Sequence, residues 1–253
     1  MNGRRVVYGL HAVTAALKRR PEAVFEVFLD ARRSDPRARR VADLAKAAGV
    51  KLHEADAGRL DGFARGGRHQ GVAAFVEEVT LAASLNEVLD DLAEPAFLLV
   101  LDGVQDPHNL GACLRVADAM GVQAIVAPKD RATGLNATVH KVAAGAGESV
   151  PFISVTNLAR TLRELKDKGI WVVGAADGEA RTLFDAKLSG PLALVMGAEG
   201  EGLRRLTRET CDELISIPML GTVESLNVSV AAGICLYEAR RQRQVAFGRR
   251  ATR

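Results

Sequence analysis

Apolar positions in the first 76 residues follow two rhythms in turn. Ala12 to Leu17 and Val41 to Ala48 repeat at helical spacing, while Val24 to Leu29, Val50 to Leu52 and Val72 to Val76 read as short strands. Between Glu77 and Glu94 there are six acids and no base. Inside that stretch Ser84-Leu-Asn-Glu87 is a capping box, followed by Leu85, Val88, Leu89 and Leu92 on one helical face, with Pro95 as the stop. The pattern therefore predicts a small α/β unit over 1–76, a joining segment with an amphipathic helix over 77–96, and a second unit over 97–253.

The second unit opens on Phe97 to Leu101, a wholly apolar run expected of a strand covered on both faces. Asn109 can cap a helix bearing Leu110, Cys113, Leu114 and Ala117, stopped by Gly121. Ala124–Ala127, Ile170–Val173, Leu192–Met196 and Leu214–Ile217 read as further strands, Leu158–Leu165 as a helix, and a long apolar helix runs from about Ser225 to Arg243. Its cationic last turns suit the negative end of the helix dipole. Strands alternating with helices predict a parallel α/β sheet, whose ligands gather at the carboxyl ends of strands.

Composition narrows the class. At 253 residues, 48% hydrophobic and 26% charged, the chain can bury a core without staples and is not disordered. No apolar run approaches the roughly 20 residues that span a bilayer. Arg4 and Arg5 precede the apolar-leaning Val6 to Leu17, but Gly9, His11 and Thr14 interrupt it and Lys18 to Arg20 close it, unlike a cleavable signal. Cys113, Cys211 and Cys235 are odd in number and form no CxxC pair, so they read as buried thiols of a reducing, cytoplasmic compartment. The five histidines form no HxH or HExxH pair, and no metal is expected.

Charge is uneven. Residues 1–40 hold ten Lys and Arg against four Asp and Glu, and residues 236–253 hold six Arg against one Glu, while the whole chain is only +3. Two basic ends on an acidic body point to a polyanion, or simply to solvated termini. Few aromatics (4%) disfavour a base-stacking sheet of the RRM kind.

Three strand ends carry residues that packing does not explain. The first runs from Asp102 through His108 and Asn109 to Arg115, which lies off the apolar helix face. Arg115 either serves chemistry or pairs with Asp118 at i+3, and His108 is either a base or a solvated loop residue. The second, Gly197-Ala-Glu199-Gly200-Glu-Gly202, matches neither a dinucleotide nor a P-loop signature. The third, Ile217-Pro-Met219 through Ser225-Leu226-Asn227-Val-Ser229, puts polar residues at the start of an apolar helix, where Ser225 or Asn227 can act as a cap.

In this order the three segments resemble the SPOUT superfamily, specifically its SpoU/TrmH class of RNA ribose 2′-O-methyltransferases. Asn109, Gly111, Ala112 and Arg115 match the first motif, Gly197, Glu199, Gly200 and Gly202 the second, and Ile217 to Ala231 the third. Leu135-Asn-Ala-Thr138, Lys141-Val-Ala143 and Glu148-Ser-Val-Pro151 look most like the bacterial enzymes that modify guanosine of large-subunit (23S) rRNA. The first unit, with His69-Gln-Gly-Val72, is similar to the L30e/L7Ae-like substrate-binding domain of those enzymes.

The resemblance implies S-adenosylmethionine as methyl donor, a deep trefoil knot holding it, and a homodimer whose interface forms the site. It implies Arg115 as the group beside the ribose oxygen, as base or as electrostatic support; a guanidinium keeps its proton below a pKa of about 12. Asn109 is then expected to orient Arg115 or the ribose, Glu199 to hold Arg115 or a substrate hydroxyl, and Ser225 and Asn227 to position ribose and phosphate. Backbone around Gly197, Gly200, Ile217, Met219 and Leu226 is expected to grip the adenosyl group. A tRNA 2′-O-methyltransferase of the same class and a non-catalytic RNA-binding protein are the alternatives.

Overall fold

The computed structural model describes residues 4–77 and 84–247. The chain divides into two compact units, Met1–Thr80 and Leu81–Arg253, each with its own core.

In the first unit, β1 (Arg4–Tyr8), β4 (Val72–Glu77), β2 (Val24–Asp30) and β3 (Lys51–Ala55) lie side by side in that order. β1–β4 and β4–β2 are antiparallel and β2–β3 parallel, so this sheet is mixed. α1 (Leu10–Arg19) and α2 (Pro36–Ala47) pack Leu10, Val13, Leu17, Val41 and Ala45 on one face. α3 (Ala57–Ala64) covers the other through Leu60 and Phe63. The hydrophobic pattern misses β1 and α3. β1 runs straight into α1 at Gly9 (φ +93°), and α3 is polar enough to pass for loop.

The second unit opens with α4 (Leu85–Asp90), which has the expected box: Ser84 accepts from the Glu87 amide and donates to its carboxylate. The helix ends at Asp90, short of Pro95. Residues 78–83 and 248–253, which include parts of the joining segment and the basic tail, lie outside the described residues.

Six parallel strands follow: β5 (Phe97–Asp102), β6 (Ala124–Pro128), β7 (Phe152–Val155), β8 (Trp171–Ala175), β9 (Leu192–Gly197) and β10 (Glu213–Ile215). Their spatial order is β10-β8-β9-β5-β6-β7. Phe97, Leu99 and Leu101 face the core under α5 (Pro107–Met120), α6 (Ala137–Ala143) and α9 (Val228–Phe247). Leu98 and Val100 face Val88 of α4 and Leu162 of α7 (Leu158–Asp167). Two-sided burial is why β5 is an unbroken apolar run.

The chain leaves β5 toward β6 and later returns as β9 on its other side. The order therefore reverses between β5 and β9, where Asp102 pairs with Gly197. Sheets of this kind open a crevice at that place. β7, α6 and the short α8 (Arg205–Thr210) escape the sequence pattern because each is brief or interrupted by polar residues.

Two local expectations change. α5 starts at Pro107 and its cap is Asp106, which accepts from the His108 amide at 2.9 Å, so Asn109 sits one turn inside the helix with its side chain free for other work. Arg243 does not simply meet the dipole of α9. It is buried, donates to the carbonyls of Pro95 and Gly190, and lies 4.8 Å over the Phe97 ring.

Candidate active site

Each of the three motifs takes its shape from backbone packing. In the first, a Cβ on Gly111 would lie 2.7 Å from Val142 Cβ and 3.0 Å from the Val139 carbonyl, so this glycine lets α5 press against α6. In the second, the amides and carbonyls of Ala198 and Gly202 bond reciprocally at 2.9 and 3.1 Å, closing a turn with Glu199 at its start. Gly200 and Gly202 have φ of +79° and +64°, which favours glycine. A Cβ on Gly197 would stand 2.2 Å from the Gly202 carbonyl carbon. In the third, the chain leaves β10 through Ile217 and Pro218 and enters α9 at Val228, later than Ser225.

Asn227 caps α9, its Oδ1 accepting from the Ser229 amide at 2.9 Å and hydroxyl at 2.6 Å. That leaves its amide nitrogen to donate to Asn109 Oδ1 at 2.9 Å and to Glu199 Oε1 at 2.6 Å. One residue from each motif thus meets in a single hydrogen-bonded cluster. Asn109 is buried there, and Cys113, one turn along α5, feels the Glu199 carboxylate. Burial first, and that carboxylate second, push the Cys113 thiol up to about 12.

Beside the cluster lies a cavity of about 440 Å³ at the carboxyl ends of β8 and β9. Gly197, Glu199, Gly200, Ile217, Met219, Ser225 and Leu226 all line it. Its floor is apolar, from Met196, Leu203 and Val228, and its rim carries the carboxylates of Asp177, Glu201 and Glu224 together with the guanidinium of Arg208, which is paired with Glu179. A flat heterocycle joined to a cationic sulfonium fits such a site, since apolar walls take the ring and carboxylates favour the cation.

Arg115 stands apart within one chain. It is exposed on α5, does not line the cavity, and has no hydrogen-bond or ion-pair partner among the described residues. The Asp118 carboxylate accepts instead from Ser149 Oγ at 2.6 Å. Glu199 and Asn109 bond Asn227 and not Arg115. His108 is in the first turn of α5, outside the cluster.

Asp102, in sequence only the first residue of the first strand end, has a structural task of its own. It is fully buried at the end of β5, and it accepts the Arg204 amide at 2.9 Å and Nε at 2.5 Å, pinning the turn 198–204 to the central strand. A lone carboxylate ending an apolar strand is its signal in the sequence. Among the described residues no group of His, Cys, Asp and Glu is arranged to hold a metal ion, and no helix is long and apolar enough to cross a membrane.

Residues 96–237 match the SpoU rRNA Methylase family, and residues 6–82 match the family described as RNA 2′-O ribose methyltransferase substrate binding. The chain belongs to the SpoU methylase family. It is 58% identical over 245 residues to the Ralstonia nicotianae 23S rRNA (guanosine-2′-O-)-methyltransferase RlmB, covering 97% of this chain and 98% of that one. The Neisseria meningitidis protein of the same name is 54% identical over 243 residues, 96% and 97% of the two chains. Among solved structures, the Streptomyces viridochromogenes SpoU methyltransferase AviRb in complex with AdoMet superposes with a TM-score of 0.68 at 25% identity, covering 96% of this chain and 92% of that one. The AdoMet-bound rRNA methyltransferase of Sinorhizobium meliloti gives 0.63 at 25%, covering 94% and 87%.

Proposed function

We propose that this protein methylates the ribose 2′-oxygen of a guanosine in 23S rRNA, in the cytoplasm, with S-adenosylmethionine as donor. The observation that carries the reading is the union of Asn109, Glu199 and Asn227 at the edge of a cavity lined by the second and third motifs. When bound, S-adenosylmethionine would supply a methyl on a sulfonium: the ribose oxygen would form a C–O bond as the S–C bond breaks to leave a neutral thioether, with the hydroxyl proton passing to solvent water.

The chain's own groups have separate tasks in this reading. Main chain at Gly197, Gly200, Ile217, Met219 and Leu226 holds the adenosyl group, and Ser225 and Asn227 position the ribose and phosphate. Glu199, fixed on one oxygen by Asn227, keeps its second oxygen for a substrate hydroxyl. Arg115 stabilises the developing oxyanion in place of removing its proton, because guanidinium stays charged.

Arg115 acts across a homodimer in this proposal, from one protomer into its partner's site. Two features support it: the exposure of Arg115 away from its own cavity, and an apolar stripe on α9 formed by Val230, Ile234 and Tyr237 at i, i+4 and i+7. The trefoil knot of the superfamily belongs to the same reading. The basic first unit recruits RNA through phosphates, so removing residues 1–76 weakens binding and flattens its salt dependence.

The test is methyl transfer to 23S rRNA and tRNA transcripts. Arg115→Ala keeps cofactor binding by calorimetry and loses transfer. Mixed dimers of Arg115→Ala and Asn227→Asp chains regain one intact site if Arg115 works across the interface, and regain none if it works within its own chain. Full transfer by Arg115→Ala removes the residue from the mechanism. Transfer to tRNA alone replaces the substrate.

A further inference from the structure

At the opposite end of the sheet from the motif cavity, about 15 Å away along five-residue strands, lies a second hollow of about 530 Å³. It is open to solvent at the amino ends of β8, β9 and β10. Trp171, the sole tryptophan of the chain and the first residue of β8, forms its wall and is 46% exposed. Leu188 and Leu192, both buried, lie beneath the hollow, and the exposed Pro191 stands at its edge. A half-exposed indole over an apolar floor is not explained by packing, and no motif of the methyl-transfer site reaches it.

The polar rim decides what fits. Trp171 Nε1 donates a long hydrogen bond to Glu213 Oε2 at 3.4 Å, which turns the N–H edge of the indole toward the rim. Both carboxylates of the rim are already engaged: Glu213 pairs with Arg181, and Asp212 pairs with Lys166 at 2.9 Å and accepts the Val172 amide. Lys187 is exposed and has no ion-pair partner among the described residues. The hollow therefore presents a flat aromatic face, neutralised acids and one unengaged cation. Aromatic planes stack unpaired bases whatever their identity, and a neighbouring cation takes the phosphate.

We infer that this hollow is an RNA subsite, in which Trp171 stacks one unpaired base of the substrate and Lys187 meets its phosphate. The inference rests on the reading that the substrate is RNA, and it adds a contact remote from the methylated ribose.

The lone tryptophan makes the test direct. The full chain is titrated with a 23S rRNA transcript while tryptophan emission and filter retention of the RNA are read together. Saturable quenching is expected, with the same midpoint as retention, and S-adenosylhomocysteine alone is expected to leave the emission unchanged. Trp171→Ala should raise the KM for RNA by about 5- to 140-fold with kcat unchanged, the range set by one base stack. Trp171→Phe should recover most of the loss, and Lys187→Ala should lower the salt slope of binding by about 1. Retained RNA with unchanged Trp171 emission overturns the subsite and leaves the methyl-transfer reading standing. Failure of the RNA to be retained at all overturns both.

Discussion

Asn227 and Asn109 are 118 residues apart in the chain, yet the amide nitrogen of the first donates to the amide oxygen of the second at 2.9 Å. The same nitrogen reaches Glu199 at 2.6 Å while its own oxygen caps α9. One side chain therefore sets the start of the last helix and binds the other two motifs to it.

Asn227→Asp keeps the cap but replaces a donor by a carboxylate facing Glu199. Hydrogen bonds to charged groups contribute about 1.5–3 kcal/mol, so kcat is expected to fall roughly 10- to 100-fold or more. Calorimetric binding of S-adenosylhomocysteine should change far less. Equal loss of binding and turnover would make Asn227 a cofactor-holding residue only.

Gly197→Ala tests the turn that closes the cavity. Its Cβ would meet the Gly202 main chain at 2.2 Å, which no side-chain rotation relieves. The turn must move and take with it the main chain that lines the cavity. Cofactor affinity is expected to drop at least tenfold, while the fold, read by circular dichroism, is retained. Unchanged affinity would show that this loop does not hold the cofactor.

Arg204 is partly exposed and Asp102 is not, so the two halves of their ion pair are unequal. Arg204→Ala strands a buried carboxylate and should cost about 3–5 kcal/mol in urea unfolding. Asp102→Ala frees Arg204 to turn toward water and should cost less. The reverse order would mean that the contacts Asp102 makes, and not the burial of its charge, dominate the pair.

The three cysteines give a pH dependence. Burial pushes Cys113, Cys211 and Cys235 from an ordinary 9.0 up to about 12 in the folded chain. The folded state therefore holds more protons than the unfolded state between those values. Its stability is fully present below pH 9 and falls as pH rises toward 12, by as much as about 4 kcal/mol per pH unit with all three thiols contributing. Unfolding free energies at pH 8, 9 and 10 measure this, and native thiols should resist iodoacetamide at pH 8. A flat profile above pH 9 would require thiolates already formed in the fold.

Much of the second unit was legible in sequence. Runs such as Phe97–Leu101 are read correctly because a strand covered on both faces must be apolar throughout, and Leu158–Leu165 because a helix covering one face repeats at its own period. α3, α6 and α8 are short, with little apolar face, so their conformation comes from what they pack on and not from their own pattern. β1 hides because it continues into α1 without a polar break.

Local sequence was enough to mark which residues at the three strand ends are out of place for packing alone: the glycines of a tight turn and the polar residues at the start of an apolar helix. Asn109 shows where that reading stops. Alone it looks like a cap, and only the return of β9 beside β5 and the entry of α9 bring Asn227 to it, leaving the cap to Asp106. Likewise nothing local pairs Asp102 with Arg204, or turns Arg115 away from the cavity on its own chain. Local pattern reports what a residue needs within a few positions. Contacts across more than a hundred residues are set by strand order, which no short-range period encodes.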